Sequence, residues 1–307
     1  MNSLVVIAGP TGSGKSELAL RIAEEFGGEI VNCDSIQLYK HLDIGSAKVP
    51  EAERRGIPHH LIDVLEPNQI FTAGEYARRA RAVLADITAR GHLPVVAGGT
   101  GFYLRALLDG LFQGPTRDEG LRARLAVREQ RRPGSLHRLL RRFDAEAARR
   151  IHANDVPKVV RALEVCLLTR RPITELFQEG RDALQGYGVF KAGLFPDRDA
   201  LNTRLDERCR RMFEQGLVDE VREILARGYP IHSKAFESLG YSQALQVILG
   251  ELTVNEAVFY AQRDTRRYAK RQMTWFRRER ELMIYKGFGS DPTVQAAALG
   301  DLRRLPG

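Results

Sequence analysis

The sequence predicts an α/β protein, a parallel sheet flanked by helices with a helical insertion, and three observations lead there. Residues Gly9, Pro10, Thr11, Gly12, Ser13, Gly14, Lys15 and Ser16 form a complete G-x-x-x-x-G-K-[ST] phosphate-binding loop directly after the apolar run 4–8. Further apolar runs at 29–33, 60–65 and 93–97 alternate with helical patterns, as in parallel strands joined by helical crossovers. From residue 116 to about 185 the composition shifts to Arg, Ala and Leu with no alternation, which reads as a helical insertion.

Taken in order, each element has a local reason. Glycines let the loop turn tightly so that its N–H groups point inward at phosphate oxygens; Lys15 adds a point charge and Ser16 a hydroxyl suited to Mg²⁺. Residues 17–26 carry Leu18, Leu20, Ile22 and Ala23 without a Pro, so the loop leads into a helix whose positive end faces the anion. Run 29–33 ends in Asp34. Thr72 and Glu75 form a capping-box signal for a helix over 72–90, lined by Tyr76, Val83, Leu84 and Ile87 and stopped by Gly91 and Pro94. Run 93–97 ends in Gly98, Gly99, Thr100 and Gly101. Parallel strands align their C-terminal ends, so if these are neighbours, the phosphate loop, Asp34 and the 98–100 turn converge on one crevice.

In the insertion, the leucines are too few to promise a large core of their own, and Asn154-Asp155 before Val156-Pro157 signals a helix start. A last strand at 189–195 returns the chain to the sheet, helices follow at 198–227 and 254–280, and the tail after Gly287 reads as loosely ordered. The expected organisation is a P-loop NTPase-like core of residues 1–115 plus 186–307, with its C-terminal helices, and an insertion domain of 116–185.

The 307 residues carry a formal net charge of +8, and its distribution matters more than its size. Residues 116–185 hold 16 basic against 10 acidic groups, and 262–281 hold 8 against 3. Those two segments contribute +11, leaving the remainder at −3, so the excess is concentrated in two patches, which beside a phosphate site suits a polyanionic partner. For the first patch, solvated Arg-rich helices are an equally good account. No apolar run is long enough to span a membrane and no signal segment opens the chain, so a cytoplasmic protein is expected. Cys33, Cys166 and Cys209 have neither disulfide nor zinc spacing and read as buried thiols. Of His59 and His60, one is expected to pack and the other to reach a polar partner.

Asp34, beside a phosphate loop, suits a Mg²⁺ ligand, a general base, or an Asp capping a turn. Thr100 suits either an N-cap or a hydroxyl that orients a substrate. No strand ends in the Asp-Glu pattern of a hydrolysing nucleotidase. Residues 265–277 interleave cations with Tyr268, Trp275 and Phe276 on a helix; the aromatics suit the core and the cations RNA phosphates.

Together, GPTGSGKS at 9–16, DSIQLY at 34–39, DIGSAK at 43–48, PHHLID at 58–63, GGTGFY at 98–103, RALEV at 161–165 and RRYAKRQMTWFR at 266–277 resemble the bacterial tRNA dimethylallyltransferase family, the tRNA isopentenyltransferases. The resemblance runs almost end to end. Departures are Ser46 for a usual Thr, Val49 between Lys48 and Pro50, Lys158 for a usual Arg, and Arg170-Arg171-Pro172 in place of a Thr-Gly turn. The resemblance implies transfer of a dimethylallyl group from dimethylallyl diphosphate to N6 of the adenosine 3′ of the anticodon, with the phosphate loop holding the diphosphate leaving group and Mg²⁺ as cofactor. It implies Asp34 as base, Thr100 as positioner of the amine and Arg208 as diphosphate clamp. The anticodon stem-loop would meet Ser35, Ile36 and Gln37, and Arg122, Lys158, Arg161, Lys270 and Arg271 are the expected RNA contacts. No feature argues for a dimer, so a monomer is expected. The competing readings are a small-molecule or nucleoside kinase, which has no use for an arginine-rich insertion, and a slow nucleotide-hydrolysing RNA switch, which needs a carboxylate on Mg²⁺ and mobile segments.

Overall fold

The computed structural model describes residues 1–304. The chain opens with β1 (Asn2–Ala8), α1 (Lys15–Phe26), β2 (Gly28–Asn32), β3 (His59–His60), α2 (Ala73–Ala89), β4 (Leu93–Gly98) and α3 (Gly101–Leu108). Five helices follow: α4 (Glu119–Arg131), α5 (Ser135–Phe143), α6 (Ala145–Arg150), α7 (Val156–Thr169) and α8 (Ile173–Gln178). Then come β5 (Tyr187–Leu194), α9 (Arg198–Glu214), α10 (Leu217–Ala226), α11 (Tyr241–Ile248), α12 (Val254–Phe276), β6 (Leu282–Tyr285) and α13 (Pro292–Arg303).

The strands form one six-stranded sheet in the order β3-β2-β4-β1-β5-β6, parallel throughout. β4 lies between β2 and β1, with Asn32 opposite Ala97 and Ala8 opposite Gly98. The three strand ends that lead to Asp34, Thr100 and the phosphate loop are therefore side by side on one edge. Helices cover the sheet because parallel strands need crossovers and both faces must be buried. On one face α1 sets Leu18, Ile22 and Ala23 against Val5, Ile7 and Val95, with Val294, Ala298 and Leu299 of α13 in the same core. Each such aliphatic side chain contributes about 1.5–3 kcal/mol by leaving water. Thr72 caps α2 as its sequence suggested, its Oγ1 accepting the Glu75 N–H at 3.1 Å.

Packing divides the chain into two compact units, one of residues 1–107 with 184 onward and one of residues 108–183. The second unit has a core of its own, unlike the small one expected from its leucines. Leu121, Leu125, Leu136, Leu140, Leu163 and Leu176 are buried there together with Ala147, Ala148 and Ala162, whose small side chains let the short helices approach closely. Asp155 caps α7 by accepting the Lys158 N–H, with Pro157 in the first turn, as the sequence signal indicated.

Four local expectations need correction. The stretch 60–65 is a two-residue strand followed by bends, with Leu61 and Asp63 at positive φ. The helix expected over 198–227 is two helices, broken where Gly216 takes φ 99°. Residues 288–304 are not loose: they form α13, started by Pro292 and buried against α1, and a sixth strand precedes them. Both histidines of the 59–60 pair find polar partners, His59 at the Ile57 carbonyl and His60 at Glu29. The three cysteines are free and buried.

Candidate functional site

The phosphate loop leaves β1 and re-enters α1 through Gly14 at φ 85°, a left-handed conformation that suits glycine. Ser13 closes the turn, its N–H and its hydroxyl both donating to the Pro10 carbonyl. Lys15 folds back over the loop, with Nζ donating to the same carbonyl at 2.7 Å. Burial of its ammonium lowers the Lys15 pKa to about 8, against the opposing pull of Asp34. The first turn of α1 leaves its N–H groups unsatisfied by the helix itself, facing the position of an anion.

Asp34 is held from three sides. Its N–H donates to Asn32 Oδ1 at 2.9 Å, its carbonyl accepts from Asn32 Nδ2 at 3.0 Å, and its own Oδ1 accepts the Ile36 N–H at 2.9 Å. Asn32 is buried and ties the same strand end to the Leu61 carbonyl. The local Asx turn of Asp34 coexists with a place in the crevice, because the turn uses one carboxylate oxygen only. Thr100 Oγ1 accepts the Ser35 N–H at 3.1 Å and the Thr100 N–H donates to the Cys33 carbonyl. Thr100 thus locks two neighbouring strand ends together.

Arg208 reaches in from α9, donating through Nη2 to Thr11 Oγ1 at 2.7 Å, while its Nε is buried without a partner. A buried unsatisfied guanidinium nitrogen is costly, and an anion is the partner that would relieve it. From α12, Gln272 is buried and joins two loops: its Oε1 accepts the Thr11 N–H at 2.8 Å and its Nε2 donates to the Gly99 carbonyl at 2.8 Å. A Cβ on Gly99 would collide with Gln272 Nε2, and one on Gly101 with the Trp275 indole, so the glycines of this turn allow α12 to approach.

The loop, Asp34 and Arg208 border two adjoining compartments. One, of about 600 Å³, is polar and cationic and is lined by Gly12, Gly14, Lys15, Ser16, Arg204 and Gln37. The other, of about 350 Å³, is more apolar, lined by Met212, Phe213, Leu217, Leu239, Ala261 and Tyr268, with Glu237, Thr265 and Arg271 among its polar residues. Thr11, Asp34, Ser46 and Arg208 border both. The segment beyond Asp34 is fastened by Lys48, whose side chain is 5% exposed and whose Nζ meets Asp43, Asp63 and the Tyr39 carbonyl. Gln37 Nε2 donates to the Ser46 carbonyl at 3.2 Å, and Glu220 anchors the segment through the N–H groups of Asp43 and Ile44.

The remaining expected residues fall into two groups. Lys270 and Arg271 are exposed on α12, Arg271 lying 5.6 Å from the Tyr268 ring. Tyr268 and Trp275 are half-buried rather than core: Tyr268 faces the apolar compartment and Trp275 stacks under Arg105 at 4.3 Å. In the second unit Arg122 and Arg161 both pair with the fully buried Glu164, while Lys158 is exposed and paired with Asp155. Burial alone would raise the Glu164 pKa, yet hydrogen bonds from Arg122 and Arg161 hold it at about 2.

The sequence reading missed Asn32, Arg204 and Gln272. Gln272 lies inside the RRYAKRQMTWFR block, where cations and aromatics are the conspicuous residues; its role depends on which loops the helix face meets. Among the described residues no cluster of three or more His, Cys, Asp or Glu side chains could hold a metal. The donors present beside the loop are the Ser16 hydroxyl and the Asp34 carboxylate, hard oxygens that fit Mg²⁺ when substrate phosphates and water complete its shell.

A family model described as IPP transferase matches residues 37–279. The chain belongs to the IPP transferase family. This family's curated members include the tRNA dimethylallyltransferase of Solibacter usitatus, 66% identical over 99% of both chains, and that of Koribacter versatilis, 56% identical over 96% of both. Among solved structures, the full-length tRNA isopentenylpyrophosphate transferase from Bacillus halodurans is 33% identical, with a TM-score of 0.72 over 99% of this chain and 97% of that one. A eukaryotic dimethylallyltransferase acting on tRNA is 26% identical, with a TM-score of 0.83 over 100% of this chain and 81% of that one. The IPP transferase fold seen in these neighbours is the P-loop NTPase-like sheet described above. No helix among the described residues is long and apolar enough to cross a membrane.

Proposed function

We propose that this chain transfers a dimethylallyl group from dimethylallyl diphosphate to N6 of the adenosine 3′-adjacent to the anticodon of tRNA, releasing diphosphate. The observation that carries this reading is that Thr11, Asp34, Ser46 and Arg208 border both a cationic compartment and a more apolar one. A prenyl diphosphate has those two halves, and its reactive carbon lies between them.

In this reading the backbone N–H groups of the loop and Lys15 receive the diphosphate, and Arg208 completes the cradle with the nitrogen that now lacks a partner. These groups stabilise the charge that develops on the diphosphate oxygen as it takes the electrons of the allylic C–O bond. Ser16, with Asp34 lining the same compartment, would hold Mg²⁺, which supplies further positive charge to the leaving group when bound. Adenine N6 is a weak nucleophile because its lone pair is delocalised into the ring. As the new C–N bond forms, its proton passes to the free oxygen of Asp34, the other being held by Ile36. Thr100 keeps Asp34 and the loop in register through Ser35 and offers its hydroxyl to the amine.

The target base has to leave its stack to enter the crevice. Ser35, Ile36 and Gln37 line its mouth, and the exposed Lys158, Lys270 and Arg271 suit backbone phosphates of the anticodon stem-loop. Arg122 and Arg161 serve the second unit chiefly through their hold on Glu164. The protein acts as a monomer in the cytoplasm in this reading. The test incubates purified protein with unmodified tRNA and radiolabelled dimethylallyl diphosphate. Label should enter RNA and be absent with Asp34→Ala; γ-phosphate transfer from ATP to a small acceptor would instead make the protein a kinase.

A further inference from the structure

The segment that joins β6 to α13 lies directly against the phosphate loop, outside the stretch 37–279 that the family model matches. The Gly289 N–H donates to the Ser13 carbonyl at 2.8 Å. The approach is so close that a Cβ on Gly14 would come within 2.7 Å of the Gly289 nitrogen, and a Cβ on Gly289 would collide with the Gly14 carbonyl. Gly289 is itself fixed at its other end, its carbonyl accepting from Gln295 Nε2 at 2.8 Å. Asp291 braces the turn by accepting the Phe288 N–H at 2.7 Å. Phe288 lies 4.8 Å under the guanidinium of Arg204, which lines the cationic compartment and pairs with Glu17.

One bond here acts on the site. A trans peptide is planar, with C=O and N–H on opposite sides. With the Ser13 carbonyl held by Gly289, the Gly14 N–H on the same peptide plane is turned away from Gly289, and Gly14 lines the cationic compartment. A loop built from glycines otherwise carries a large conformational freedom, and any anion would have to order it on binding.

We infer that Gly289 is a positioning residue for the diphosphate site: through the Ser13 carbonyl it presets the Gly14 N–H, and through Phe288 the same turn sets Arg204, so that the carboxy-terminal segment forms the outer wall of the cradle. This inference rests on the reading of that compartment as a diphosphate site.

The experiment uses the full chain and inorganic diphosphate with Mg²⁺, measured by calorimetry, alongside tRNA affinity and thermal midpoint. Two variants are compared: Gly289→Ala, which must push the loop, and Leu299→Ala, which removes packing between α13 and α1 without touching the turn. Gly289→Ala should weaken diphosphate on the order of tenfold, about 1.4 kcal/mol, and raise KM for dimethylallyl diphosphate alike, with tRNA affinity unchanged. Leu299→Ala should lower the midpoint and leave diphosphate affinity as in the parent. If Gly289→Ala instead behaves like Leu299→Ala, less stable with unaltered diphosphate binding, the turn is merely structural and the inference fails. If the parent protein does not bind diphosphate, it is the reading of the site that fails.

Discussion

Arg208 Nη2 donates to Thr11 Oγ1 at 2.7 Å, and this bond aims a guanidinium from α9 across the mouth of a loop nearly two hundred residues earlier in the chain. The Nε of the same group is left without an acceptor in a buried position. That arrangement costs stability in the empty protein and is released by an anion. Arg208→Lys keeps the charge but loses the planar fork. It should lower kcat by roughly 10²-fold, the scale of removing one group that stabilises a leaving oxyanion. Steady-state kinetics with saturating tRNA measure it, and a loss below twofold would remove Arg208 from the mechanism.

Asp34→Asn preserves an acceptor for the Ile36 N–H and so preserves the turn. What it removes is the ability to take a proton. Turnover should fall by about 10²–10⁴-fold, the usual range for a general base. Affinity for tRNA should stay near that of the parent. Parallel loss of binding and turnover would mean that the carboxylate serves the architecture alone.

Burial lowers the Lys15 pKa from 10.5 to about 8. In the empty site the charged form is therefore a cost, fully present below pH 8 and relieved as pH rises toward 10.5, where the unfolded chain also deprotonates. Bound diphosphate reverses the preference, because the polyanion favours the ammonium. Near pH 8 and above, binding should take up a proton and weaken with rising pH. Calorimetry in two buffers of different ionisation enthalpy reads this directly, and an identical heat in both would contradict it.

In the second unit, Glu164 is 0% exposed and carries both Arg122 and Arg161. Its pKa is held at about 2 rather than 4.5, so this contribution is complete above pH 4.5 and is lost as pH falls through about 2. Glu164→Ala leaves two cations facing a buried void. Since both arginines are partly exposed, the cost should be about 2–3 kcal/mol, below the full range for breaking a buried pair. Chemical denaturation monitored by circular dichroism would show it, with tRNA affinity also reduced as the second unit loosens.

Lys270→Ala with Arg271→Ala tests the electrostatic share of RNA binding. Both side chains are exposed. Affinity should fall for every tRNA alike, and the slope of log K against log salt should become shallower by about one for each RNA phosphate that is no longer neutralised. An unchanged slope would assign the RNA-binding cations elsewhere.

Much of the site was legible because the physics behind it is local. A phosphate loop has to follow a strand and open a helix, and a parallel sheet has to bring strand ends to one edge, so the run 9–16, Asp34 and Thr100 find their places from the sequence. What was less legible followed from contacts between distant segments. Arg208 was reachable only through a resemblance, since nothing in its neighbourhood says that it faces Thr11. Gln272 is one polar residue among cations until α12 is laid against two glycines. Arg122 and Arg161 read as free cations because no local pattern marks Glu164 as buried between them.

The amino-acid pattern alone determined the phosphate loop, the insertion and most elements before the carboxy-terminal segment, since periodicity, capping and glycine placement act over a few residues. Tertiary structure alone decided that the carboxy-terminal turn, which reads as a loose tail, packs Gly289 against the loop. It also decided that Thr11, Asp34, Ser46 and Arg208 lie between a cationic space and a more apolar one. The reason is physical: hydrogen bonds and burial between segments far apart in the chain depend on how helices pack on the sheet, and no short window of sequence contains that packing.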